Sequence, residues 1–424
     1  MEITERKVVM IFRKIVVFCV AIFYLLPQVL FAARLEVGKD FPFKKLQLAI
    51  NAAKPFDTIL VHQGLYKEGN VIIDKSLVLI GVDYPILDGQ ELYEIVSIKA
   101  NNVVFAGFKL QHSGYSTLND PGAIKVYEGN HIQILNNILD DNFFGIYLQY
   151  SMNCLIKDNI ISASGSEEQQ IGNGIHCWKS DSLQIIHNKV SGHRDGIYFE
   201  FVTNSIIWRN ISSENIRYGL HFMFSNSDAY IGNLFQRNGA GVAVMFTKNV
   251  KMFNNTFEEN WGDASYGILL KEISDSYILG NHFVSNTSGI FMEGTSRIEV
   301  ARNEFRNNGW GMKIQASCMD NTIAENNYIG NTFDISTNGS LVLNTFNGNY
   351  WDKYEGFDLN KDLVGDIPYH PLSLFSVIVE NNPPAMLLFR SFMVTLLDRS
   401  EKMLPSLTPD NFIDNRPLMR KLSI

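Results

Sequence analysis

The segment GIYFEFVTNSIIWRNISSENIRYGLHFMFSNSDAYIGNLFQRNGAG, residues 196–241, carries one pattern twice over and decides the fold. Each glycine (Gly196, Gly219, Gly241) is followed one and three places later by apolar residues: Ile197/Phe199, Leu220/Phe222 and Val242/Val244. An asparagine stands 14 places after the glycine, at Asn210 and Asn233. Alternation at period two marks short strands with one inward face. Glycine supplies tight turns. Asparagine suits a corner because its amide can bond successive coils and because it tolerates left-handed geometry.

The register extends in both directions. Small residues recur at Ala123, Gly145, Gly174, Gly196, Gly219, Gly241, Gly267, Gly289 and Gly311, and asparagines follow at Asn137, Asn159, Asn188, Asn210, Asn233, Asn255, Asn281 and Asn303. The last slips by one place, to Asn326, and insertions interrupt the count around Ser164–Gln170 and Trp261–Ser265. A second strand contributes the inward pairs Ile132/Ile134, Leu183/Ile185, Val250/Met252 and Ile298/Val300, and a third an aromatic stack of Phe235, Phe257, Phe283, Phe305 and Tyr328. A period of about 22 residues held over so many copies is a solenoid. The expected fold is therefore all-β: a right-handed, three-faced parallel β-helix over 57–349, with like residues stacked about 4.8 Å apart.

Both ends of such a tube need covers, because an open coil exposes strand edges. Phe43, Leu46, Ile50 and Ala53 share one helical face, so an N-terminal cap helix is expected within 34–56. An irregular loop region is expected over 350–382 and a C-terminal helical extension and tail over 383–424. At the start, Arg6, Lys7, Arg13 and Lys14 precede an apolar run from Ile15 to Leu26, then Pro27 and Ala32-Ala33. That order reads as a cleaved secretory signal over 1–33, since a spanning helix needs roughly 20 apolar residues. An exported chain matures in an oxidising compartment. Its remaining cysteines, Cys154, Cys177 and Cys318, are odd in number, which excludes a disulfide framework, and the first two occupy inward slots. A formal net charge of −8 excludes the basic stripe of a nucleic-acid binder.

Chemistry must lie on the outward positions. Two and four places after each small residue these read Tyr147/Gln149, His176/Trp178, Tyr198/Glu200, His221/Met223 and Ala243/Met245, with His193 and Asp195 at the preceding corner. Methionine and tryptophan beside histidine are unusual on a solvated face. One reading is a docking patch in which Trp178, His193, Asp195, Tyr198 and Glu200 meet a partner and His176, His221, Met223 and Met245 touch Cu(I) transiently through imidazole and thioether. The other is a face covered by a loop or a partner, without metal. Asp358, Asn360, Asp362 and Asp366 space oxygens like the opening of a calcium loop. Leu363 stands there in place of the turn glycine and Tyr369 in place of the bidentate glutamate, so an Asx-turn loop is the alternative.

A helix over Ala385–Lys402 is expected to gather Met386, Phe389, Met393 and Leu396/Leu397 on one side, either to dock in a groove or on a membrane protein or to pack back along the tube. No catalytic residue is assigned. The outward Glu200 and Glu293 stand four coils apart, about 19 Å by strand spacing, beyond the roughly 6.5–9.5 Å of an inverting pair.

The stretches IGNGIHCWKSDSLQII (171–186), SGHRDGIYFEF (191–201), RYGLHFMFS (217–225), GAGVAVMFTKNV (239–250), SLVLNTFNGNYWDKYEGFDLNKDLVGDIPY (340–369) and NNPPAMLLFRSFMVTLLD (381–398) resemble the NosD family of nitrous-oxide-reductase maturation proteins. The resemblance runs from roughly Leu46 to Met419. It implies a periplasmic β-helix attached to an ABC-type permease and its ATPase, which gives it its contact with the membrane. It also implies work with a copper chaperone lipoprotein on the copper centres of nitrous oxide reductase. It supplies no copper ligands, so the residues named above rest on the face assignment. Two other classes compete: a polysaccharide lyase, epimerase or glycoside hydrolase, and a passive surface module.

Overall fold

The computed structural model describes residues 33–403 and 412–424, apart from 117, 166, 340–342 and 390. Except for Ala33, the expected signal segment lies outside the described residues.

Three strands per coil form three parallel sheets that run the length of the tube. Sheet I holds the strands that follow each glycine, sheet II the second strand and sheet III the third; they contain 12, 14 and 13 described strands. Each strand pairs with its equivalent one coil on, as in Ile197↔Leu220 and Phe199↔Phe222. The residues assigned inward are buried, from Ile132 and Ile134 through Phe199, Phe222 and Val244 to Val300. The aromatic stack on sheet III is continuous from Phe235 through Phe257, Phe283, Phe305 and Tyr328 to Trp351, with ring centroids 4.2 to 5.4 Å apart.

At the corners, each asparagine carbonyl oxygen accepts the backbone N–H and side-chain amide of the asparagine one coil earlier. The chain runs unbroken from Asn137 through Asn159, Asn188, Asn210, Asn233, Asn255, Asn281, Asn303 and Asn326 to Asn349. The ladder asparagines do not adopt the left-handed conformation that was expected of them. It falls on the residue before each one, including Arg209 (φ 53°), Asn254 (φ 54°) and Gly280 (φ 69°). The asparagine is thus selected for its amide, which satisfies buried backbone groups, and its neighbour makes the turn.

The tube begins earlier than expected. Arg34–Val37 already pairs with Thr58–Val61 as the first strand of sheet II. The cap helix α1, Leu46–Ala52, buries Leu46, Ala49 and Ile50 over the open end. The C-terminal region differs more. Residues 350–382, expected to be irregular, contain helix α2, Leu374–Asn381, whose N-cap Ser373 accepts the Ser376 N–H. The single helix expected over Ala385–Lys402 is instead a 3-10 turn, Pro383–Leu388, followed by helix α3, Phe392–Met403. The tail then returns to the last coil, where Asp414 and Leu418 bridge to Phe346 and Tyr350.

Candidate docking site

The outer face of sheet I is covered at both ends and open in the middle. At its N-terminal end two loops lie against it. Lys125 Nζ donates to the Asn119 and Asp120 carbonyls at 2.8 and 3.3 Å, Tyr115 Oη donates to the Gln169 carbonyl at 2.9 Å, and the Gly172 N–H donates to the Phe143 carbonyl. His176 and Tyr147 are buried here, each 8% exposed. Burial pushes the His176 pKa down to about 3, with the Arg194 charge adding to the effect, so the ring is neutral at ordinary pH. The loop-covered reading therefore describes this end. At the other end α2 and α3 pack on Phe333 and Trp310, and Glu380 accepts from Lys313 Nζ at 3.0 Å and Ser336 Oγ at 3.1 Å.

Between these walls lies a saddle. Its floor is a column of His221, Ala243, Leu269 and Phe291 on consecutive coils, beside a second column of Met223, Met245, Lys271 and Glu293. Three strand spacings, about 14 Å, separate the first and last of each column. Tyr198 Oη donates to Met223 Sδ at 3.7 Å at the saddle's near edge.

Along the rim runs an aromatic ladder that the sequence reading missed. Phe201, Phe224 and Phe246 stack with centroids 5.1 Å apart and remain 43, 38 and 40% exposed. All three have positive φ, at 54°, 52° and 54°, a conformation that costs a bulky residue about 1 kcal/mol or more. Asparagine or glycine is easier at such a corner. The available signal was positional: these residues stand five places after successive glycines, in the column of Tyr150 and Lys179. Trp178 adjoins the ladder, with Lys179 Nζ 4.6 Å from its ring.

The residues singled out in the sequence separate into groups. Trp178, Tyr198, Glu200, Met223 and Met245 are half-buried on the outer face. His193 and Asp195 are fully buried, at 0 and 1% exposure, and offer a partner no surface. His193 occupies a rung of a second corner ladder, where its N–H donates to Asn215 and where later coils carry Asn238, Asn260 and Asn286. Asp195 lies behind the face, 3.7 Å from Arg217 and 3.6 Å from His221. The Tyr198 ring sits between His176 and His221, 4.8 Å from each. The two imidazoles are two strand spacings apart, about 9.6 Å, too far to share one ion. His221, Met223 and Met245 occupy one strand and its neighbour, but His221 is buried, 6% exposed, and neither of its covered ring nitrogens has a hydrogen-bond partner.

In the 358–366 loop the acidic oxygens serve the loop's own backbone. Asp358 accepts from the N–H groups of Lys361, Asp362 and Leu363, Asn360 from that of Asp362, and Asp366 from that of Leu359. This is the Asx-turn arrangement. Among the described residues no three His, Cys, Asp or Glu side chains are grouped to hold a metal ion. The C-terminal residues divide as well. Met386 packs against the Phe333/Phe375/Val379 cluster, Phe389 lies 6.1 Å from Phe333 by ring centroids, and Met393 is exposed. Leu387, Phe392 and Leu396 join Met393 on the exposed side. No described helix is long and apolar enough to cross a membrane. The three described cysteines, Cys154, Cys177 and Cys318, are free and buried.

Residues 163–356 match the family model described as "Periplasmic copper-binding protein (NosD)". A protein of Stutzerimonas stutzeri named "Probable ABC transporter binding protein NosD" is 28% identical over 374 residues, covering 83% of this chain and 85% of its own. One of the same name from Pseudomonas aeruginosa is also 28% identical, over 83% of this chain and 86% of its own. Among solved structures, the family 28 exopolygalacturonase of Yersinia enterocolitica superposes with a TM-score of 0.57 at 12% identity, covering 75% of this chain and 78% of its own. At that identity the likeness concerns the fold alone.

Proposed function

We propose, from the similarity to NosD proteins along most of the chain, that it belongs to the NosD family and is a non-catalytic periplasmic scaffold of an ABC-transporter assembly. In this reading it holds a copper-carrying protein on the saddle and a permease on the exposed side of its C-terminal helices, and so serves the copper centres of nitrous oxide reductase. The observation that carries the reading is the saddle itself. It is a floor of half-buried Met223, Met245, Leu269 and Phe291, rimmed by three exposed phenylalanines at left-handed corners. A solvated face has no reason to keep such residues.

Copper enters as cargo. The thioethers of Met223 and Met245 are soft donors that suit Cu(I) and stand on adjacent strands, whereas the His221 ring beside them is buried with both nitrogens covered. His176 lies under the loops and takes no part. The permease contact is assigned to Leu387, Phe392, Met393 and Leu396, exposed at 91, 82, 57 and 48%. The names of the two relatives support a transporter partner. Catalysis on a polysaccharide is disfavoured by the four strand spacings, about 19 Å, between Glu200 and Glu293, and Glu293 already pairs with Lys271 at 3.4 Å.

The test is an anaerobic Cu(I) titration of the mature protein, with co-purification of the permease as a second readout. Replacing Met223 and Met245 by Leu is expected to abolish Cu(I) uptake, while His176→Gln leaves it unchanged. Phe392→Glu is expected to release the permease without affecting uptake. Copper stoichiometry untouched by the methionine replacements would remove the saddle as the contact.

A further inference from the structure

The outer face of sheet II carries an apolar stripe. Outward positions on five consecutive coils hold Ile186, Trp208, Ile231, Phe253 and Leu279, and the pairing register stacks them in one column. Four strand spacings, about 19 Å, separate the first from the last. Trp208 is 37% exposed and the other four are half-buried, while Ile206 and Tyr277 in the adjacent column are 44 and 41% exposed. No described helix packs on the stripe: α1 covers the first coil, and α2 and α3 lie on sheet I. Contiguous apolar surface of this kind marks a contact with something else.

The charges around it have one sign. Lys157 precedes Ile186 in the same column and is paired with Asp158 at 3.5 Å. Lys189 and Arg209 stand on the side of sheet III, and Lys251 stands on the opposite side, on the strand of Phe253. Among the described residues Lys189, Arg209 and Lys251 enter no ion pair. The Arg209 guanidinium lies 4.9 Å from the Trp208 ring. A Cβ on Gly232 would stand 3.6 Å from the Arg209 stem, so that glycine leaves the stem room along the stripe. Neither flanking column carries a carboxylate over these five coils; the first is Glu299, one rung past Tyr277. In a chain with a formal net charge of −8, three uncommitted cations framing one apolar column reverse the general balance.

We propose that this stripe docks an amphipathic α-helix of a partner protein, with Asp or Glu flanking its apolar face. A column of about 19 Å matches about 13 residues of helix at 1.5 Å per residue. Such a helix buries one narrow apolar face along its length, and its acidic flanks meet Arg209 on one side and Lys251 on the other. Tryptophan and arginine are the residue types that most often anchor protein interfaces. An anionic lipid surface would be met by a plane of protruding side chains, and four of the five stripe residues are half-buried. The stripe lies on a different sheet from the saddle, so the inference does not depend on the copper reading.

The experiment is a fluorescence-anisotropy titration of the mature protein with two stapled helical peptides of about 18 residues. They share one leucine face, which is flanked by Glu in the first and by Lys in the second. The Glu peptide is expected to bind saturably and about tenfold or more tighter than the Lys peptide, with the gap narrowing at high salt. Arg209→Glu combined with Lys251→Glu should reverse that order, and Trp208→Ala should weaken the Glu peptide about tenfold. Cu(I) uptake should be the same in both variants as in the parent. Equal affinity for the two peptides, or no saturable binding by either, overturns the proposal. Binding to phosphatidylglycerol vesicles instead of the peptide, lost in Trp208→Ala, would assign the stripe to lipid. Dimerisation in sedimentation, lost in the same variant, would assign it to a second copy of the chain, and either result also overturns the proposal. The peptide comparison needs no variant, so misfolding cannot obscure it.

Discussion

Asn349 donates its side-chain amide to the Asp414 carboxylate at 3.0 Å, across 65 positions of sequence, and this contact ends the corner ladder. Each earlier rung is closed by the asparagine of the next coil, and at the last coil there is no next asparagine. The returning tail supplies a carboxylate instead. It also accepts the N–H groups of Gly348 and Asn349 and the Trp351 indole N–H.

Replacing Asp414 by Ala therefore orphans several buried donors at once. Each buried unsatisfied group costs about 1–3 kcal/mol, so the loss expected is about 3 kcal/mol or more in chemical denaturation. Hydrogen exchange should quicken in the amides of 346–351. Asp414→Asn is expected to lose less, because one carbonyl oxygen survives. Equal loss for both replacements, or no change in exchange, would show that the tail does not close the ladder.

His193 predicts an acid sensitivity. Burial pushes its pKa down to about 4, whereas an unfolded histidine takes a proton near 6.5. Between those values the unfolded chain is protonated and the folded one is not. Stability is thus lost as pH falls through that window, by up to about 1.4 kcal/mol per pH unit from this residue. His193→Asn, the residue found on the following rungs, should flatten the pH dependence of the denaturation midpoint by that amount. A slope identical to the parent's counts against the buried neutral ring.

Asp228 has the opposite sign. It is 1% exposed, and burial raises its pKa to about 8 even though Oδ1 accepts the Ser205 N–H. The unfolded carboxyl ionises near 4, and the folded one keeps its proton until about 8. Stability therefore falls as pH rises between those values, again by up to about 1.4 kcal/mol per unit. Asp228→Asn keeps an acceptor for Ser205 and removes the charge. Its advantage over the parent should grow from pH 4 to pH 8 and then level off. A constant difference across that range would mean that Asp228 is ionised in the folded protein.

The phenylalanine ladder should separate function from stability. Phe224→Asn gives up ring stacking worth about 0.5–1.5 kcal/mol per pair but relieves a left-handed bulky residue by about 1 kcal/mol. Phe224 stacks on two neighbours, so stability should fall by no more than about 2 kcal/mol. Affinity for a copper-carrying partner, followed by surface plasmon resonance, should fall tenfold or more if the rim is a binding anchor. Unchanged affinity would remove the ladder from the interface.

The repeating part of this protein is legible in the order of its residues alone. Glycine, alternating apolar pairs and asparagine recur at a fixed period, and strand alternation turns that period directly into inward Ile197 and Phe199 and outward Tyr198 and Glu200. It even located the saddle methionines, because register carries them from coil to coil. Whether an outward residue reaches solvent was settled only by the tertiary structure. His176 lies beneath loops from other coils, His193 fills a corner rung, and Tyr198 parts the two histidines, while Met223 and Met245 remain open. Asp414 and the broken C-terminal helix were hidden for the same reason. Covers and closures depend on single long-range contacts that leave no period in the chain, whereas a stacked coil repeats its own instructions.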